Sequence, residues 1–286
     1  MTYKTLNIRM LVRFWIAISV AFIVSGCDII NPEEQIPAYI EINDIVINED
    51  NSQVTDAWVY VNDYLVGSYD LPAHFPVLYS GNVTVTVRPG IRVNGIAVTR
   101  GFYSFYQEWE AEVNLKEGET TVISPVSQYK TGLDFAWTED FETIALSFEP
   151  HDTATLNLTK TDTVSDATTP KVGVVGIGPD SLFSIQTIQQ FDLPNSGDVY
   201  LELSFKSDIP FELAWRVENL ETGVIRDNRL YQFLPSDEWQ HIYIYLSNFI
   251  SDYDNIINRF QFLFGAYNTE DEVKYIYLDN IKLIHD

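Results

Sequence analysis

The chain has 286 residues, and its 17 Lys and Arg against 41 Asp and Glu give a formal net charge of −24 at pH 7. A surface this acidic repels nucleic acid and anionic headgroups, which excludes nucleic acid as an expected partner. Its 17 Phe, 17 Tyr and 6 Trp can fill a sizeable core, which argues against wholesale disorder.

Residues 1–26 have the pattern of a secretory leader. The first residues carry a positive charge from three basic side chains, Lys4, Arg9 and Arg13. The apolar run 14–24 is too short to span a bilayer as a mature helix. Val24-Ser25-Gly26-Cys27 follows, and Cys27 is the single cysteine of the chain. This box resembles the signal of bacterial lipoproteins, and the resemblance implies cleavage before Cys27 and acylation of Cys27 with fatty acids such as palmitate.

A lipid on Cys27 predicts a cell-envelope protein at the outer membrane, because several acyl chains give stable attachment. Two alternatives stay open, namely an ordinary secretory signal with a chance cysteine and an uncleaved membrane anchor. Residues 27–37 include two prolines and three acidic residues without a clear period. They are predicted to form a tether to the first domain.

Residues 38–130 are predicted to form a small β-sandwich. Asn62-Asp63 and Asn94-Gly95 are both expected hairpin turns, the first between 58–61 and 64–66, the second between 91–93 and 96–98. Apolar and polar residues alternate at 83–87 and at 109–115, as expected of half-buried strands. Residues 56–67 also resemble the first hairpin of immunoglobulin-like or PEGA-like surface modules.

Residues 131–286 are predicted to form a larger jelly-roll β-sandwich. Short strands with turn signals between them are expected at 141–148, 154–158, 172–177, 182–191, 199–205, 211–217, 224–233, 239–246, 260–264 and 275–284. The polar stretch 159–170 is expected to be an exposed loop, and 251–258 a short helix. The fold class is therefore all-β.

Two segments of this region carry a family resemblance. Trp239 opens a strand after a turn, and Asp279-Asn280-Ile281 lies in the last predicted strand. Both features resemble galactose-binding-like jelly rolls of the carbohydrate-binding-module kind. The resemblance implies a bound glycan and a structural calcium, with Asp279 as a ligand beside Glu139, Asp140 or Glu142. The alternative for Asp279 is a solvated residue at a strand end.

Exposed aromatic rings are the side chains on which sugar rings stack. Tyr243 and Tyr245 alternate with Ile242, Ile244 and Leu246, so they are predicted to lie on the face turned away from the core. Trp215 follows the same alternation as neighbouring apolar residues, so the alternative for Trp215 is a buried position in the core. The candidate glycan-binding residues are Tyr243, Tyr245, Tyr231 and Trp215.

No catalytic motif is present in the sequence. The four histidines lie more than four residues apart, and the chain has no His-Glu-x-x-His, Gly-x-Ser-x-Gly or phosphate-binding loop. The predicted function is non-catalytic binding of a glycan or an envelope partner by a lipid-anchored protein. The alternatives are a structural subunit of an envelope assembly and a jelly-roll glycoside hydrolase.

Overall fold

The computed structural model describes Trp15 and residues 34–48, 54–152, 154–164, 166–167, 169–253 and 257–286. The rest of the predicted leader, with Cys27, lies outside the described residues. No helix among the described residues combines the length and the apolar character needed to cross a bilayer.

The first unit consists of residues 38–127, together with Tyr129 and Lys130, which pair with Tyr106 and Phe105, and it is built from short strands. They are β1 (Ala38–Ile42), β2 (Val46–Ile47), β3 (Asp56–Val61), β4 (Tyr64–Asp70), β5 (Ala73–Val77), β6 (Gly81–Arg92), β7 (Arg100–Phe102), β8 (Trp109–Leu115), β9 (Thr120–Ile123) and β10 (Val126–Ser127). One sheet has the order β5-β1-β9, β2 pairs with β10, and the largest sheet is β4-β3-β6-β7 with β8 also on β6. Buried aliphatic residues such as Ile40, Val59 and Val85 fill the space between them.

The second unit, residues 134–286, is a sandwich of two larger sheets. Its elements are β11 (Asp134–Glu139), β12 (Phe148–Pro150), β13 (Thr159–Thr161), β14 (Val172–Ile177), β15 (Ser181–Thr187), β16 (Val199–Ser207), β17 (Phe211–Asn219), β18 (Ile225–Phe233), β19 (Ser236–Tyr245), α1 (Ser247–Ile250), β20 (Asn258–Asn268) and β21 (Lys274–His285). Sheet I has the order β13-β14-β21-β16-β19, with β11 also on β21, and sheet II the order β12-β15-β20-β17-β18.

The predicted fold class is confirmed, because the described chain is all-β with a small sandwich followed by a larger one. Asn62 and Asp63 form the expected hairpin turn, both with positive φ, between β3 and β4. The immunoglobulin-like or PEGA-like character of the first unit and the domain boundary at residue 130 stay predictions.

Several predicted elements differ from the structure. Residues 141–147 form a loop instead of a strand, since Glu139 accepts hydrogen bonds from the backbone N–H groups of Phe141 and Ser147 and holds both ends of the loop. The expected strand at 154–158 is absent from its described residues, and β13 takes part of the expected loop. The helix spans Ser247–Ile250 and ends before the predicted range 251–258, of which residues 254–256 lie outside the described residues and Asn258 begins β20.

The first unit covers part of one outer face of the second. Tyr200, Tyr243 and Ile284 point outward from sheet I and belong to the hydrophobic cluster of the first unit. The ring of Tyr103 lies 4.9 Å from that of Tyr200 and 4.8 Å from that of Tyr243. Aromatic rings at these distances stabilise a contact by more than the burial of their apolar area alone. These rings therefore help to hold the two units together.

A buried carboxylate lies within this interface. Glu202 on β16 has no exposed surface, and it accepts hydrogen bonds from the hydroxyl groups of Tyr103 and Tyr129 of the first unit, the latter at 2.8 Å. Nε2 of His241 lies 3.6 Å from the same carboxylate. Burial, and then the charge of Glu202, raise the pKa of Tyr103, which therefore remains a neutral donor. Because a buried charge is costly without partners, the two hydroxyl groups hold the units in one arrangement.

The Asn94-Gly95 turn completes the interface at the edge of sheet I. The turn forms as predicted, but the strand that pairs with β6 after the turn is β7, whereas the sequence predicted it at residues 96–98. The Asn94 N–H donates to the carbonyl of Tyr243, and the Asn94 side chain accepts from the N–H of Tyr245, each at 2.8 Å. Gly95 has a φ of +63°, and a Cβ there would lie 2.8 Å from Cδ1 of Ile242, so the backbone conformation and the close approach both favour glycine. The turn thereby covers the free edge of β19.

We expect Tyr103→Phe to lower the free energy of unfolding by about 2 kcal/mol, since a hydrogen bond to a charged group contributes about 1.5–3 kcal/mol. Tyr39→Phe is the matched control, because its ring stacks on His74 and no described residue bonds its hydroxyl. Its cost should stay below about 0.5 kcal/mol. Urea unfolding measures both, and equal costs would contradict the role given to Glu202.

Candidate functional site

The structure corrects the predicted exposure of Tyr243 and Tyr245. Both point away from the core of the second unit, as their alternation predicts, but the first unit covers this face. Tyr243 is 2% exposed, and Tyr245 is half-buried with its hydroxyl donating to Asp198 at 3.1 Å. The prediction of an open face was therefore wrong, and the ring of Tyr243 offers no surface to a sugar.

The other two candidates lie in different places. Trp215 is 2% exposed and packs in the core, with its ring 5.1 Å from that of Phe260. Its role as an exposed stacking residue is therefore also corrected. Tyr231 is half-buried, donates to the carbonyl of Asn94 at 2.8 Å, and lines a cleft of about 430 Å³ between β18 and β19. The four residues form no common surface.

An aromatic surface does exist on the part of sheet I that the first unit leaves uncovered. Tyr275 and Tyr277 lie two residues apart on β21, with their ring centroids 6.2 Å apart and the ring planes 24° from parallel. Tyr275 is 42% exposed, and Tyr277 is half-buried. We call this surface the open half of sheet I.

The neighbouring strand explains how the ring of Tyr275 is placed. Gly176 on β14 pairs with Tyr275, and a Cβ at Gly176 would lie 3.1 Å from that ring. The ring of Tyr275 therefore extends into the space that a side chain at residue 176 would occupy.

Charged groups border the two rings. Lys206 on β16 pairs with Tyr277 across the sheet, and its amino group lies 2.6 Å from Asp166. The hydrogen bond from Lys206 is the main cause of the lowered pKa of Asp166. Asp208 accepts from the N–H of Tyr275 at 2.8 Å. The aromatic surface is thus bordered by groups that can hydrogen-bond hydroxyl groups.

The sequence contains a signal for this surface. Tyr275 and Tyr277 alternate with Ile276 and Leu278, which are fully buried in the core. The same alternation that favoured Tyr243 and Tyr245 thus also places these two rings on the outer face. What the sequence lacks is the position of the first unit, which covers one pair of tyrosines and leaves the other open.

The predicted calcium ligands lie near one another. Asp279 is almost fully buried, and its carboxyl group accepts hydrogen bonds from Thr169 and the N–H of Asn280. Burial is the main cause that raises its pKa, and the charges of Glu142 and Asp140 raise it further. Asp279 is therefore not the solvated strand-end residue of the alternative. Glu142 accepts from the N–H of Lys171 at 2.8 Å. Within the described ranges, no group of three or more His, Asp or Glu is arranged to hold a metal ion. The calcium site stays a prediction.

One cluster on the outer face of sheet II has the composition of a catalytic triad. Nδ1 of His151 lies 3.1 Å from Oγ of Ser184, and Nε2 lies 2.5 Å from Nη2 of Arg216 and 3.7 Å from Asp227. Arginine can only donate, so Nε2 accepts and Nδ1 carries the proton. His151 therefore donates to Ser184 and cannot withdraw its proton. The cluster stabilises the sheet face and does not activate a nucleophile.

No match is found among protein-family models or among curated proteins. The chain is similar to solved structures of carbohydrate-binding modules. One, reported on the promiscuous specificity of modules from the β-sandwich superfamily, is 14% identical and covers 88% of this chain and 99% of its own, with a TM-score of 0.41.

Two further structures match the chain over about half its length. A family 11 module from Clostridium thermocellum, in complex with a β-1,3-1,4-mixed-linked tetrasaccharide, is 17% identical and covers 51% of this chain and 92% of its own, with a TM-score of 0.36. A xylan-binding domain from Paenibacillus barcinonensis is 13% identical and covers 53% and 94%, with a TM-score of 0.38. Likenesses at these TM-scores identify no ligand for this chain.

The buried carboxyl of Asp279 predicts a pH dependence of stability. Burial is the main cause that raises its pKa from 3.8 to about 6. Between pH 3.8 and about pH 6 the folded chain binds more protons at Asp279 than the unfolded chain does. The free energy of unfolding therefore falls as the pH rises through this window. We expect Asp279→Asn to become more stable relative to the native chain between pH 4 and pH 7, by up to about 3 kcal/mol.

Urea unfolding at pH 4, 5, 6 and 7 measures this difference. Asp63→Asn is the matched control, because Asp63 is exposed in a turn where Asn is equally suited to positive φ. A difference between Asp279→Asn and the native chain that stays constant with pH would show that the carboxyl is not held in its neutral form.

Proposed function

We propose that the chain is a non-catalytic glycan-binding protein and that the open half of sheet I is its binding surface. The observation that carries the proposal is the pair of neighbouring rings, Tyr275 and Tyr277, which lie close to parallel on an uncovered part of the sheet. Sugar rings have apolar faces formed by C–H groups, and these pack on flat aromatic surfaces.

The size and the setting of the surface support a sugar rather than another apolar ligand. Two rings 6.2 Å apart extend along the strand and offer contact to adjacent sugar units. Lys206, Asp166 and Asp208 supply both donors and acceptors at the border of the rings. Ligand surfaces of this kind combine an apolar area with a few polar groups that fix the orientation of the ligand.

We further propose that a lipid on Cys27 holds the protein in the cell envelope. The support is in the sequence, where a positive start and a short apolar run precede the only cysteine. In the structure β1 begins at Ala38, eleven residues after Cys27, so the first unit lies close to the attachment point along the chain. Anchored in this way, the protein would present its binding surface from a membrane.

The alternative function is a structural subunit of an envelope assembly. One observation favours it, namely the exposed valines Val46, Val122 and Val126 along β2, β9 and β10. The strand β9 lies at the edge of its sheet, and open edges pair readily with other chains. Self-association of the purified chain that Val122→Lys abolishes would support this function.

We expect the purified chain to bind at least one glycan on a broad array. Tyr275→Ala and Tyr277→Ala should each weaken that binding by at least about tenfold, which corresponds to about 1.4 kcal/mol. Gly176→Val should weaken it as well, because the new side chain would displace the ring of Tyr275.

Tyr267→Ala is the matched control, since Tyr267 is 55% exposed on β20 of the other sheet. Its binding should match that of the native chain. The proposed surface would be contradicted if the chain bound no glycan on the array while its circular dichroism spectrum showed an intact β-sheet fold. It would also be contradicted if the Tyr267 and Tyr275 variants lost the same amount of binding.

The lipid anchor predicts that cells expressing the native chain incorporate an alkyne-labelled fatty acid into it. Cys27→Ser should carry no label, because the acylated thiol and the cleavage site are lost together. A native chain that takes up no label, or that is recovered without lipid in the soluble fraction, would refute the anchor but would leave the glycan surface untouched.

A further inference from the structure

A second cavity lies in the first unit, away from the open half of sheet I. It has a volume of about 520 Å³ and is lined by Phe102, Tyr103, Tyr106, Gln107, Arg88 and Lys130, with Glu108 at its border. Volumes of this size are typical of sites for small ligands. Tyr103 and Tyr106 are buried and form its inner wall, since their hydroxyl groups bond to Glu202 and Tyr243 of the second unit.

The charge of this cavity is opposite to that of the whole chain. Arg88 forms a salt bridge of 2.8 Å with Glu108, so the two charges compensate each other. Lys130 is exposed, and no described residue forms an ion pair or a hydrogen bond with its amino group. One positive charge is therefore left in the cavity of a chain whose formal net charge is −24.

An aromatic ring lies beside these cations. Phe102 on β7 is 46% exposed, and its ring is held in place by Trp58, at 6.1 Å, and by the guanidinium of Arg88, at 5.4 Å. The exposed ring of Phe102 is thus held beside the polar groups of the cavity. Lys130 can pair with a negatively charged group of a ligand, and Phe102 can pack against a flat apolar face.

We propose that this cavity binds an acidic sugar, that is, a sugar ring that carries a carboxylate. The carboxylate pairs with Lys130, and the apolar face of the ring packs on Phe102. The amide of Gln107 donates to the carbonyl of Tyr129 at 3.4 Å, which leaves its oxygen to accept from a sugar hydroxyl. The cavity is independent of the open half of sheet I, so the chain has two separate sites for sugars of different charge.

Charge recognition is possible here despite the acidic surface. At physiological ionic strength the Debye length is about 8 Å, so distant carboxylates are largely screened. The nearest cations then determine which ligand enters the cavity. Binding that depends on one exposed lysine should weaken as the salt concentration rises.

The test uses the full chain with trigalacturonate and with its methyl ester, in which each carboxylate is replaced by a neutral ester that carries an added methyl group. We expect the acid to bind, the ester to bind at least tenfold more weakly, and the affinity for the acid to fall between 50 and 500 mM salt. Lys130→Gln and Phe102→Ala should each raise the Kd for the acid at least tenfold. Calorimetry and equilibrium dialysis measure the affinities.

Lys171→Gln is the matched control, because Lys171 is an exposed lysine outside the cavity and the substitution removes the same charge. It should leave the Kd for the acid unchanged. Equal affinities for acid and ester, no binding of the acid by the folded chain, or equal losses in the Lys130 and Lys171 variants would each overturn the proposal. None of these results would alter binding at Tyr275.

Discussion

The carboxylate of Glu202 is the constraint on which the arrangement of the two units depends. It is buried at the interface, and its partners Tyr103 and Tyr129 come from the other unit. Separation of the units would either hydrate this charge or leave it buried without partners, and the second outcome costs several kcal/mol. The surrounding rings contribute attraction, whereas the hydrogen bonds to Glu202 select one geometry.

This arrangement assigns opposite roles to the two ends of one sheet. The strand β21 supplies Ile284 to the interface and Tyr275 to the open half, so a single alternating strand serves packing at one end and exposure at the other. Between them Asp279 is buried beneath Thr169, on the same outer face. The candidate binding surface is therefore what remains of sheet I beside the area that the first unit covers and beside Asp279, which bonds to Thr169.

Much of the fold could be predicted because turns and alternation are local properties. The Asn62-Asp63 hairpin and the alternation that predicts strands at β16 and β19 follow from neighbouring residues. The strand β11 was missed because Glu139, a buried acid, occupies an inward position where an apolar residue is expected. The environment of Tyr243 could not be predicted either, since Tyr106, its hydroxyl partner, lies 137 residues away in the chain. The cavity at Lys130 depends in the same way on distant contacts.

The central place of β21 in sheet I also determines the order in which the molecule can fold. This strand pairs with β11, β14 and β16, so the second sandwich cannot close until residue 285 has been synthesised. The first unit has all its strands by residue 127 and then waits for about 160 further residues, roughly 10 to 30 s at ordinary rates of translation. During that interval its aromatic face at Tyr103 has no partner. The apolar surface around Tyr103 therefore stays exposed to solvent until Tyr200 and Tyr243 of the second unit cover it.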